Sequence, residues 1–408
     1  MPTAWQSALD DAIDARFEQM VQLRRHLHQN PELSGSEQQT TLHIYQLLFE
    51  EAIAVRMGPE GRGIVADLPN AENQTRVALR ADIDALPIDD GKVGCEYRSQ
   101  VDGVMHACGH DGHTATTFGA VTGIVDAIAA NHIPAIPLRA IFQPAEETCT
   151  GAAEMIEFGA LEGVGAIFAL HMDPTRRLGT VGLKPNVLTA HCDEIRFTVH
   201  GRGGHAARPH ETIDSIAAAA YLVSALYQLI PRVTDSQDAV VVSIGQIRGG
   251  ENANVIPESV HLRGTVRSLC KEVRDETFEH IRRIAKGVET TTGSRIEVEF
   301  GVGAEAVVND PYLTKLLTRS ARNLLGPDKV QNIPRPSMGS EDFAFYLAHV
   351  PGAMMRLGCV SDAVGGPLLH APNFDLDEES MRIGAKILAR SAVHWALEQD
   401  DQHSKEGN

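Results

Sequence analysis

The sequence lacks the long apolar run that a membrane-spanning helix needs. No stretch of about eighteen consecutive apolar residues occurs, which predicts no transmembrane helix. Basic residues are also scarce: 36 Lys and Arg stand against 54 Asp and Glu, for a formal net charge of −18. Because this charge repels nucleic-acid phosphate and anionic lipid, neither a nucleic acid nor a membrane is expected as a partner.

Cysteine is sparse and shows no pairing pattern. The six cysteines are scattered along a long chain, which does not indicate a disulfide framework. The first twenty residues carry acids such as Asp10 and Asp14 where a secretory signal has a basic head and an apolar stretch. We therefore expect a cytoplasmic protein with reduced thiols.

Three common site patterns are missing as well. Neither a C-x₂-C pair nor H-E-x-x-H occurs, so no zinc-finger or zincin template applies. The Gly-rich segment HGRGGHAARPH, residues 200–210, is not a dinucleotide fingerprint, because Ala206 stands where the third glycine belongs. An oxidoreductase is therefore disfavoured. The composition, 43% hydrophobic and 22% charged, is that of a soluble globular protein, and 408 residues suggest two domains.

The pattern of predicted helices and strands differs between two parts of the chain. The N-terminal part begins with two helical segments, the second capped by Ser34 or Ser36, and continues with apolar strands that alternate with helices. This pattern predicts an α/β fold in which a mostly parallel sheet is sandwiched by helices. From about residue 191 to residue 300 the order β-α-β-β-α-β predicts an α+β, ferredoxin-like unit. We assign residues 1–186 and 300–408 to a discontinuous catalytic domain, and 187–299 to an inserted lid or dimerisation domain.

Polar clusters follow several of the predicted strands. Asp82 and Asp84 come after one strand, Glu146 and Glu147 after the next, and His171 after a third. Because functional sites of such sheets form at the carboxyl ends of the strands, we expect these side chains to share one site.

The stretch MHACGHDGHTA, residues 105–115, packs four candidate ligands together, namely His106, Cys108, His110 and His113. Cys108 and His110 lie two residues apart in a Gly-containing turn that opens a helix, so both could reach one ion. A lone cytosolic Cys is more often a small buried hydrophobe. The combination with a downstream Glu-Glu pair favours a metal site.

The adjacent pair Glu146-Glu147 has two interpretations. Acids at an exposed helix start are favoured by the helix dipole. In irregular chain, however, neighbouring side chains point apart, so one carboxylate could hold a metal while the other reaches a water. That division suits metal-assisted hydrolysis, in which the metal lowers the pKa of water to about 7 and a carboxylate moves its proton.

Other candidates are weaker when taken alone. His171 and His370 each sit in a polar turn after an apolar stretch, and either could be structural. The segment 200–210 is either a flexible hairpin or a mobile arm that brings His205 to a substrate carbonyl. The segment MGSEDFAFYL, residues 338–347, is either a helix start capped by Ser340 or part of a site.

Taken together, these segments resemble the M20 metallopeptidase family. The similarity is greatest to its amidohydrolase branch, which includes hippurate hydrolase, N-acyl-amino-acid amidohydrolases and plant indoleacetyl-amino-acid hydrolases. It covers nearly the whole chain through segments in the order RRHLHQNPELSGSE, ALRADIDALPI, MHACGHDGHTA, FQPAEE, GAAEMIEFGAL, ALHMDP, GRGGHAARPH, ENANVIPE, LRGTVRS, MGSEDFAFY and LLHAPNFDLDEES.

The resemblance implies a site with two divalent metal ions, which could be Zn, Mn, Co or Ni. The implied metal ligands are Cys108, His110, Glu147, His171 and His370. It also implies that Glu146 is the general base, that His205 polarises the scissile carbonyl, and that Asn254 and Arg267 help to hold the substrate carboxylate. In the family this His often reaches across a dimer. A homodimer or homotetramer through the inserted domain is therefore expected, and whether His205 acts within its own subunit is left open.

One position departs from the wider family. Asp82-Ile83-Asp84 stands where the wider family has His-x-Asp, a change that the Cys-Gly-His branch shares. Asp84 is then expected to orient a ligand, and whether Asp82 touches metal is left open. Within residues 105–115 we expect only Cys108 and His110 to bind metal. His106 and His113 would lie outside the ligand set, and Asp111 would orient a neighbour.

The predicted activity is hydrolysis of a linear amide. A metal-dependent amidohydrolase would cleave an N-acyl or N-aroyl amino acid, a small-molecule substrate, to a carboxylic acid and an amino acid. A dipeptidase or carboxypeptidase with the same chemistry is the nearest alternative. A non-catalytic metal-dependent binding protein is disfavoured, because such a site has no use for the second, non-ligating carboxylate of Glu146.

Overall fold

The computed structural model describes residues 3–51, 53–69, 75–301 and 303–406, with side chains up to residue 399. The chain forms two compact units. The first contains Met1–Asn186, Val308–Pro334 and Phe345–Asn408, and the second contains Val187–Val307 and Arg335–Ala344.

The helices alternate with strands along most of the chain. In chain order the helices are α1 (Ala4–Ala15), α2 (Phe17–Gln29), α3 (Gln38–Glu50), α4 (His110–Ala129), α5 (Gly151–Glu157), α6 (Ser215–Val233), α7 (Lys271–Thr292), α8 (Pro311–Leu325), α9 (Phe343–Leu347) and α10 (Glu379–Glu406). The strands are β1 (Ala54–Met57), β2 (Ile64–Asp67), β3 (Arg76–Asp82), β4 (Leu138–Gln143), β5 (Val164–Arg177), β6 (Val181–Leu183), β7 (Asn186–Val187), β8 (His191–His200), β9 (Gly204–His205), β10 (Val240–Arg248), β11 (Val255–Ile256), β12 (Ser259–Ser268), β13 (Arg295–Phe300), β14 (Val308–Asn309), β15 (Val330–Asn332) and β16 (Gly352–Val360).

The first unit is built on an eight-stranded sheet in the order β1-β2-β4-β3-β5-β16-β6-β15. Its central strands β4, β3, β5 and β16 run parallel to one another. Strand β4 is buried along its whole length, as expected where helices cover both faces of a sheet. Helix α4 is buried on nearly every side and packs against α1, α2 and α10. The prediction of a mostly parallel, helix-covered sheet is confirmed.

The strand register brings the predicted polar residues to one edge of this sheet. Asp82 ends β3 and pairs with Gln143 at the end of β4, so Glu146 lies just beyond the same edge. On the other side of β3, Arg80 pairs with Ala169, which puts His171 of β5 level with Asp82. Parallel strands thus deliver three separate parts of the sequence to one place.

The second unit is a four-stranded antiparallel sheet in the order β10-β12-β8-β13. Helices α6 and α7 pack against each other and against this sheet. The connectivity β8-α6-β10-β12-α7-β13 is the predicted split βαβ order. Strand β10 lies at one edge of the sheet.

The sequence analysis predicted no transmembrane helix, and helix α6 is an exception to the criterion it used. Among the described residues it is the one helix that is long and apolar enough to do so by length and composition. Its inner face, with Ala218, Leu222 and Leu226, is fully buried in the core of the second unit. One side of the helix is therefore packed in this core, and its exposed side is also largely apolar, which accounts for the high hydropathy.

The second unit extends to Val307 and also includes residues 335–344, whereas the sequence analysis assigned residues 300–307 and 335–344 to the catalytic domain. The reason is a set of backbone contacts: the Ser337 N–H donates to the carbonyl of Leu188, and the Ala190 N–H donates to the carbonyl of Gly339.

Helix α3 also begins later than predicted. Its N-cap is Glu37, which makes no side-chain cap bond, so neither Ser34 nor Ser36 caps it.

Candidate metal centre

A left-handed glycine shapes the turn in front of α4. Gly109 has φ of +89°, and a Cβ there would meet the side chain of Met172 at 3.3 Å. With no side chain at this position, the chain can reverse between Cys108 and His110. The thiol of Cys108 and the imidazole of His110 therefore converge, and both are buried.

The five predicted ligand residues meet around Cys108. Its Sγ lies 3.6 Å from Nε2 of His171 and 3.4 Å from Nε2 of His370. The Oε1 atom of Glu147 lies 3.5 Å from Nε2 of His370 and 3.8 Å from Nε2 of His110. The structure thus brings together side chains that are separated by up to 262 positions in sequence.

The two buried histidines have defined tautomers. Nδ1 of His110 lies 2.9 Å from the carbonyl oxygen of Asp84, and Nδ1 of His171 lies 2.7 Å from that of Met172. A carbonyl can only accept, so Nδ1 carries the proton in each ring. In the neutral rings each Nε2 then keeps a lone pair on the side of the cluster, as a metal ligand requires.

These donors fit a metal ion. Nε2 of His110 and Oε1 of Glu147 are buried and have no hydrogen-bond partner. Burial, and then the nearby charge of Glu147, raises the pKa of the Cys108 thiol to about 12, so a cation is needed to form the thiolate. Ligands held 2.0–2.3 Å from one ion lie roughly 3.3–3.8 Å apart, which is the spacing of this cluster.

The ligands form two overlapping groups. One contains Cys108, His110 and His171, and the other contains Cys108, Glu147 and His370, with the ligand atoms of each group within 4.8 Å of one another. Cys108 belongs to both groups. The residues are therefore sufficient for two ions that share the thiolate.

Glu146 lies with the cluster. Its Oε2 is 3.8 Å from Nε2 of His110, the same distance that separates this nitrogen from Oε1 of Glu147. The two carboxylates thus converge, where the sequence analysis expected them to point apart. The reason is the bent backbone of the segment: Ala145 has φ of +50° and Cys149 has φ of +55°.

Two aspartates at the end of β3 support the cluster in different ways. Asp84 accepts hydrogen bonds from the Ser34 hydroxyl at 2.7 Å and from the Glu147 N–H at 3.0 Å, and it contacts His110. Burial would raise the pKa of Asp84, but the bond to His110 and these other bonds lower it. Asp82 instead contacts Arg80 at 2.6 Å and His113 at 2.6 Å through separate oxygens.

The remaining polar residues of 105–115 do not offer a free ligand atom to the cluster centred on Cys108. His113 uses both ring nitrogens: Nδ1 contacts Asp82, and Nε2 accepts from the N–H of Met172 at 2.8 Å. Asp111 accepts from Arg24 at 2.9 Å and contacts His28 at 2.7 Å. His106 is buried, which lowers its pKa to about 4, and it belongs to none of the candidate ligand groups among the described residues.

Some supporting residues had no role in the sequence analysis. Arg24 is fully buried and binds Asp111, Asp375 and Glu378, so it connects the first turn of α4 with the segment that follows His370. Arg24 lies in the segment RRHLHQNPELSGSE, which contributed to the family resemblance but was assigned no functional residue in the sequence analysis.

The three predicted substrate residues lie in the second unit. His205 of β9 pairs with Val255, and the Ala206 N–H donates to the carbonyl of Asn254 at 3.0 Å, so His205 and Asn254 are neighbours. Both are exposed. Arg267 lies near the other end of β12, where it donates to the carbonyl of Met338 at 2.8 Å. Within this unit, Arg267 is therefore not brought to the other two.

The surroundings of His205 favour one tautomer. The Ala207 N–H donates to Nδ1 of His205 at 3.1 Å. In the neutral ring the proton then sits on Nε2, which leaves an exposed N–H donor.

Comparisons with known proteins agree with this arrangement. Peptidase family M20/M25/M40 matches residues 78–394. An N-acetylcysteine deacetylase of Bacillus subtilis is 38% identical over 92% of this chain and 96% of its own length. Thermostable carboxypeptidase 2 of Saccharolobus solfataricus is 33% identical over 92% of this chain and 95% of its own.

A solved structure shows the same likeness. The YXEP protein of Bacillus subtilis, a dinuclear metal binding peptidase from the M20 family, is 34% identical, with a TM-score of 0.78 over 94% of this chain and 99% of that one. The family match covers most of the chain and both the strand ends and the turn that carry the cluster. The chain therefore belongs to Peptidase family M20/M25/M40.

Proposed function

We propose that the protein is a metal-dependent amidohydrolase that cleaves the amide bond of N-acyl or N-aroyl amino acids. The observation that carries the proposal is the buried cluster around Cys108, with the additional carboxylate of Glu146 beside it. The deacetylase relative supports an acyl amino acid as substrate. The products would be a carboxylic acid and a free amino acid.

In this proposal Cys108, His110, Glu147, His171 and His370 hold two divalent ions, with Zn, Mn, Co or Ni as candidates. When bound, these ions would lower the pKa of water and polarise the amide carbonyl. Glu146 takes a proton from the attacking water and passes it to the leaving nitrogen. Asp84 orients His110 and the Glu147 backbone through its hydrogen bonds.

The second unit contributes to substrate recognition. His205 donates from its exposed Nε2–H to the carbonyl oxygen of the substrate, where negative charge develops. Asn254, next to His205, and Arg267 would bind the amino-acid carboxylate. The assignment of Arg267 rests on its motif, since its side chain contacts the carbonyl of Met338.

A homodimer through the second unit is part of the proposal. Strand β10 is an edge strand, and α6 lies beside it, with the Ile244 N–H donating to the hydroxyl of Tyr227 at 2.8 Å. Apolar side chains remain exposed on both elements: Ile216 and Tyr221 are each 48% exposed, and Ile247 is 55% exposed. A second copy would cover this surface, and a homotetramer would need a further contact.

We also propose a cytoplasmic location, which the reduced state of the six cysteines supports. A dipeptidase or carboxypeptidase is the second candidate function, and the carboxypeptidase relative favours it. Both candidates use the same ligand cluster and differ only in the substrate pocket. A non-catalytic binding protein has no use for Glu146.

The deciding experiment loads apoprotein separately with Zn²⁺, Mn²⁺, Co²⁺ and Ni²⁺ and assays N-acetyl, N-benzoyl and aminoacyl amino acids. We expect the acyl substrates to be hydrolysed fastest, with two metal ions bound per chain. Faster hydrolysis of the aminoacyl substrates would favour the dipeptidase. Full activity with a single bound ion would contradict the two-metal centre.

A further inference from the structure

A carboxylate outside the cluster contacts the backbone that carries the Glu-Glu pair. Glu37 is fully buried, and its Oε1 accepts hydrogen bonds from the N–H of Ala145 at 2.7 Å and of Gly35 at 3.0 Å. Ala145 directly precedes Glu146. Glu37 therefore holds the segment that delivers both carboxylates, although it is 108 residues away in sequence.

The backbone at this contact is unusual. Ala145 has φ of +50°, in the left-handed region that residues with a side chain rarely adopt. Its carbonyl accepts from the N–H groups of Thr150 and Gly151 at 3.2 and 3.1 Å. A residue in this conformation stays there only where its surroundings over-determine it, and Glu37 supplies the one side-chain acceptor that the structure gives to the Ala145 N–H.

Glu37 makes these contacts in place of a helix-cap bond. It occupies the N-cap position of α3, where a side-chain acceptor commonly binds the first free N–H groups of the helix, yet it makes no cap bond. Its carboxylate is directed to Ala145 instead.

The other end of the Glu-Glu pair is held from the same part of the chain. The Glu147 N–H donates to Oδ2 of Asp84, and this oxygen also accepts from the Ser34 hydroxyl. Residues 34–37 thus hold the pair on both sides: Ser34 acts through Asp84, and Glu37 acts through Ala145. Two contacts of this kind define the position of the intervening carboxylates more closely than either one alone.

We propose that Glu37 is a positioning residue for Glu146 and Glu147. It fixes the bend at Ala145 that aims one carboxylate at the metal ions and the other at the attacking water. This inference rests on the roles assigned to the pair in the proposed function. For the contact with Ala145, Glu37 must supply an oxygen acceptor at the right distance. Its other oxygen, Oε2, lies 3.8 Å from Nη1 of Arg62, so the Gln variant separates the role of the acceptor from that of this ion pair.

The test compares three variants of the full chain. Glu37→Gln keeps an oxygen acceptor at the same distance, Glu37→Asp withdraws it by one methylene, and Glu37→Ala removes it. Asn309→Ala is the matched control: Asn309 is also fully buried and accepts a backbone N–H, that of Met354 at 2.8 Å, away from the Glu-Glu pair. The measurements are Co²⁺ affinity and the visible absorption of bound Co²⁺, then kcat and KM at saturating Co²⁺, and Tm.

Glu37→Ala and Glu37→Asp are expected to weaken Co²⁺ binding about 10- to 100-fold, the usual effect of losing a residue that orients a ligand. They should also alter the Co²⁺ spectrum and lower kcat, with KM changed less than about threefold. Glu37→Gln should restore all of these. If Glu37→Ala fails to fold, the Asp and Gln variants decide the question between them.

Wild-type Co²⁺ binding and kcat in Glu37→Asp would overturn the inference, as would equal losses in Asn309→Ala at a matched Tm. A Gln variant as impaired as the Asp variant would also contradict it, because the charge would then matter. If the wild-type protein hydrolyses none of the acyl substrates, the proposed function fails, and the Co²⁺ affinity and spectrum still test the role of Glu37.

Discussion

The functional residues of the two units differ in how strongly the fold constrains them. In the first unit, His110 is 1% exposed and His171 is 6% exposed, and a backbone carbonyl fixes each ring. In the second unit, His205 and Asn254 are exposed. The His205 ring accepts the N–H of Ala207, and the Asn254 N–H donates to the side-chain oxygen of Asn252. The proposed metal ligands are thus held largely in place by the fold, whereas the proposed substrate-binding residues are open to solvent.

His370, a proposed ligand of the first unit, is less buried than His110 and His171. The side chain of His370 is 51% exposed, and the residue has φ of +62°. Its N–H donates to the carbonyl of Ala107 at 2.8 Å, so the backbone is tied to the turn before α4 although the ring is open to solvent. Preorganisation in this cluster is thus achieved through backbone contacts as well as burial.

The largest effect is expected for Glu146→Gln. If Glu146 moves the proton and does not hold the metal, kcat should fall about 10²- to 10⁴-fold, the usual contribution of a general base. Metal content should stay at the wild-type value, because the ligands remain. Both are measured on the same metal-loaded sample. A variant with unchanged turnover and bound metal would remove Glu146 from the mechanism.

His205→Ala tests the second unit in the same assay. Losing one donor to the developing oxyanion should lower kcat about 10²- to 10³-fold. Because the His205 ring is exposed and its Nδ1 accepts the N–H of Ala207 two residues away, Tm and metal content should not change. His210→Ala, which alters a side chain 76% exposed in the same segment, is the control and should keep wild-type kcat.

A mixture of subunits shows whether His205 acts across a dimer. A Glu146→Gln subunit retains His205, and a His205→Ala subunit retains Glu146. If His205 acts in the partner's site, a mixture that exchanges subunits should recover turnover that neither variant has alone. No recovery in a mixture that has demonstrably exchanged would place His205 in its own subunit's site.

Asp84→Asn is expected to have a smaller effect, on metal binding rather than on turnover at saturation. Asp84 contacts His110 and accepts the Glu147 N–H, and loss of such an orienting carboxylate typically weakens metal affinity about 10- to 100-fold. Competition with a chelator measures the affinity. Asp82→Asn is the comparison: Asp82 contacts Arg80 and His113, so a larger effect on affinity there would point to direct metal contact.

The apolar runs predicted the strand ends that carry Glu146, Glu147 and His171, while the full ligand set was implied by the family resemblance. The sequence pattern could not show which of His110 and His113 is a metal-ligand candidate, since they lie three positions apart on one helix. What separates them is tertiary: His113 meets the carboxylate of Asp82 and the N–H of Met172, which come from β3 and β5. Resemblance excluded His113, and the hydrogen bonds give the physical reason.

Glu37 shows where local patterns mislead. An acid before an amphipathic helix is typical of an N-terminal cap, and the sequence analysis looked for the cap nearby, at Ser34 or Ser36. The contact of Glu37 with Ala145 depends on how α3 packs beside the end of β4, which no local pattern encodes. Such long-range hydrogen bonds are the part of a site that only a structure reveals.

The smallest effect is expected at the apolar surface of the second unit. Ile247→Glu puts a charge on the exposed side of edge strand β10, and we expect it to raise the dimer dissociation constant at least about tenfold, or 1.4 kcal/mol. Sedimentation over a range of protein concentrations measures this. Phe49→Glu is the control, because Phe49 is 65% exposed on α3 and belongs to the first unit. Equal effects of the two substitutions would show that the dimer does not form through the second unit.

Unchanged kcat in the dissociated Ile247→Glu protein would in turn show that each subunit completes its own site. This small perturbation therefore also decides how far the exposed residues of the second unit depend on a partner.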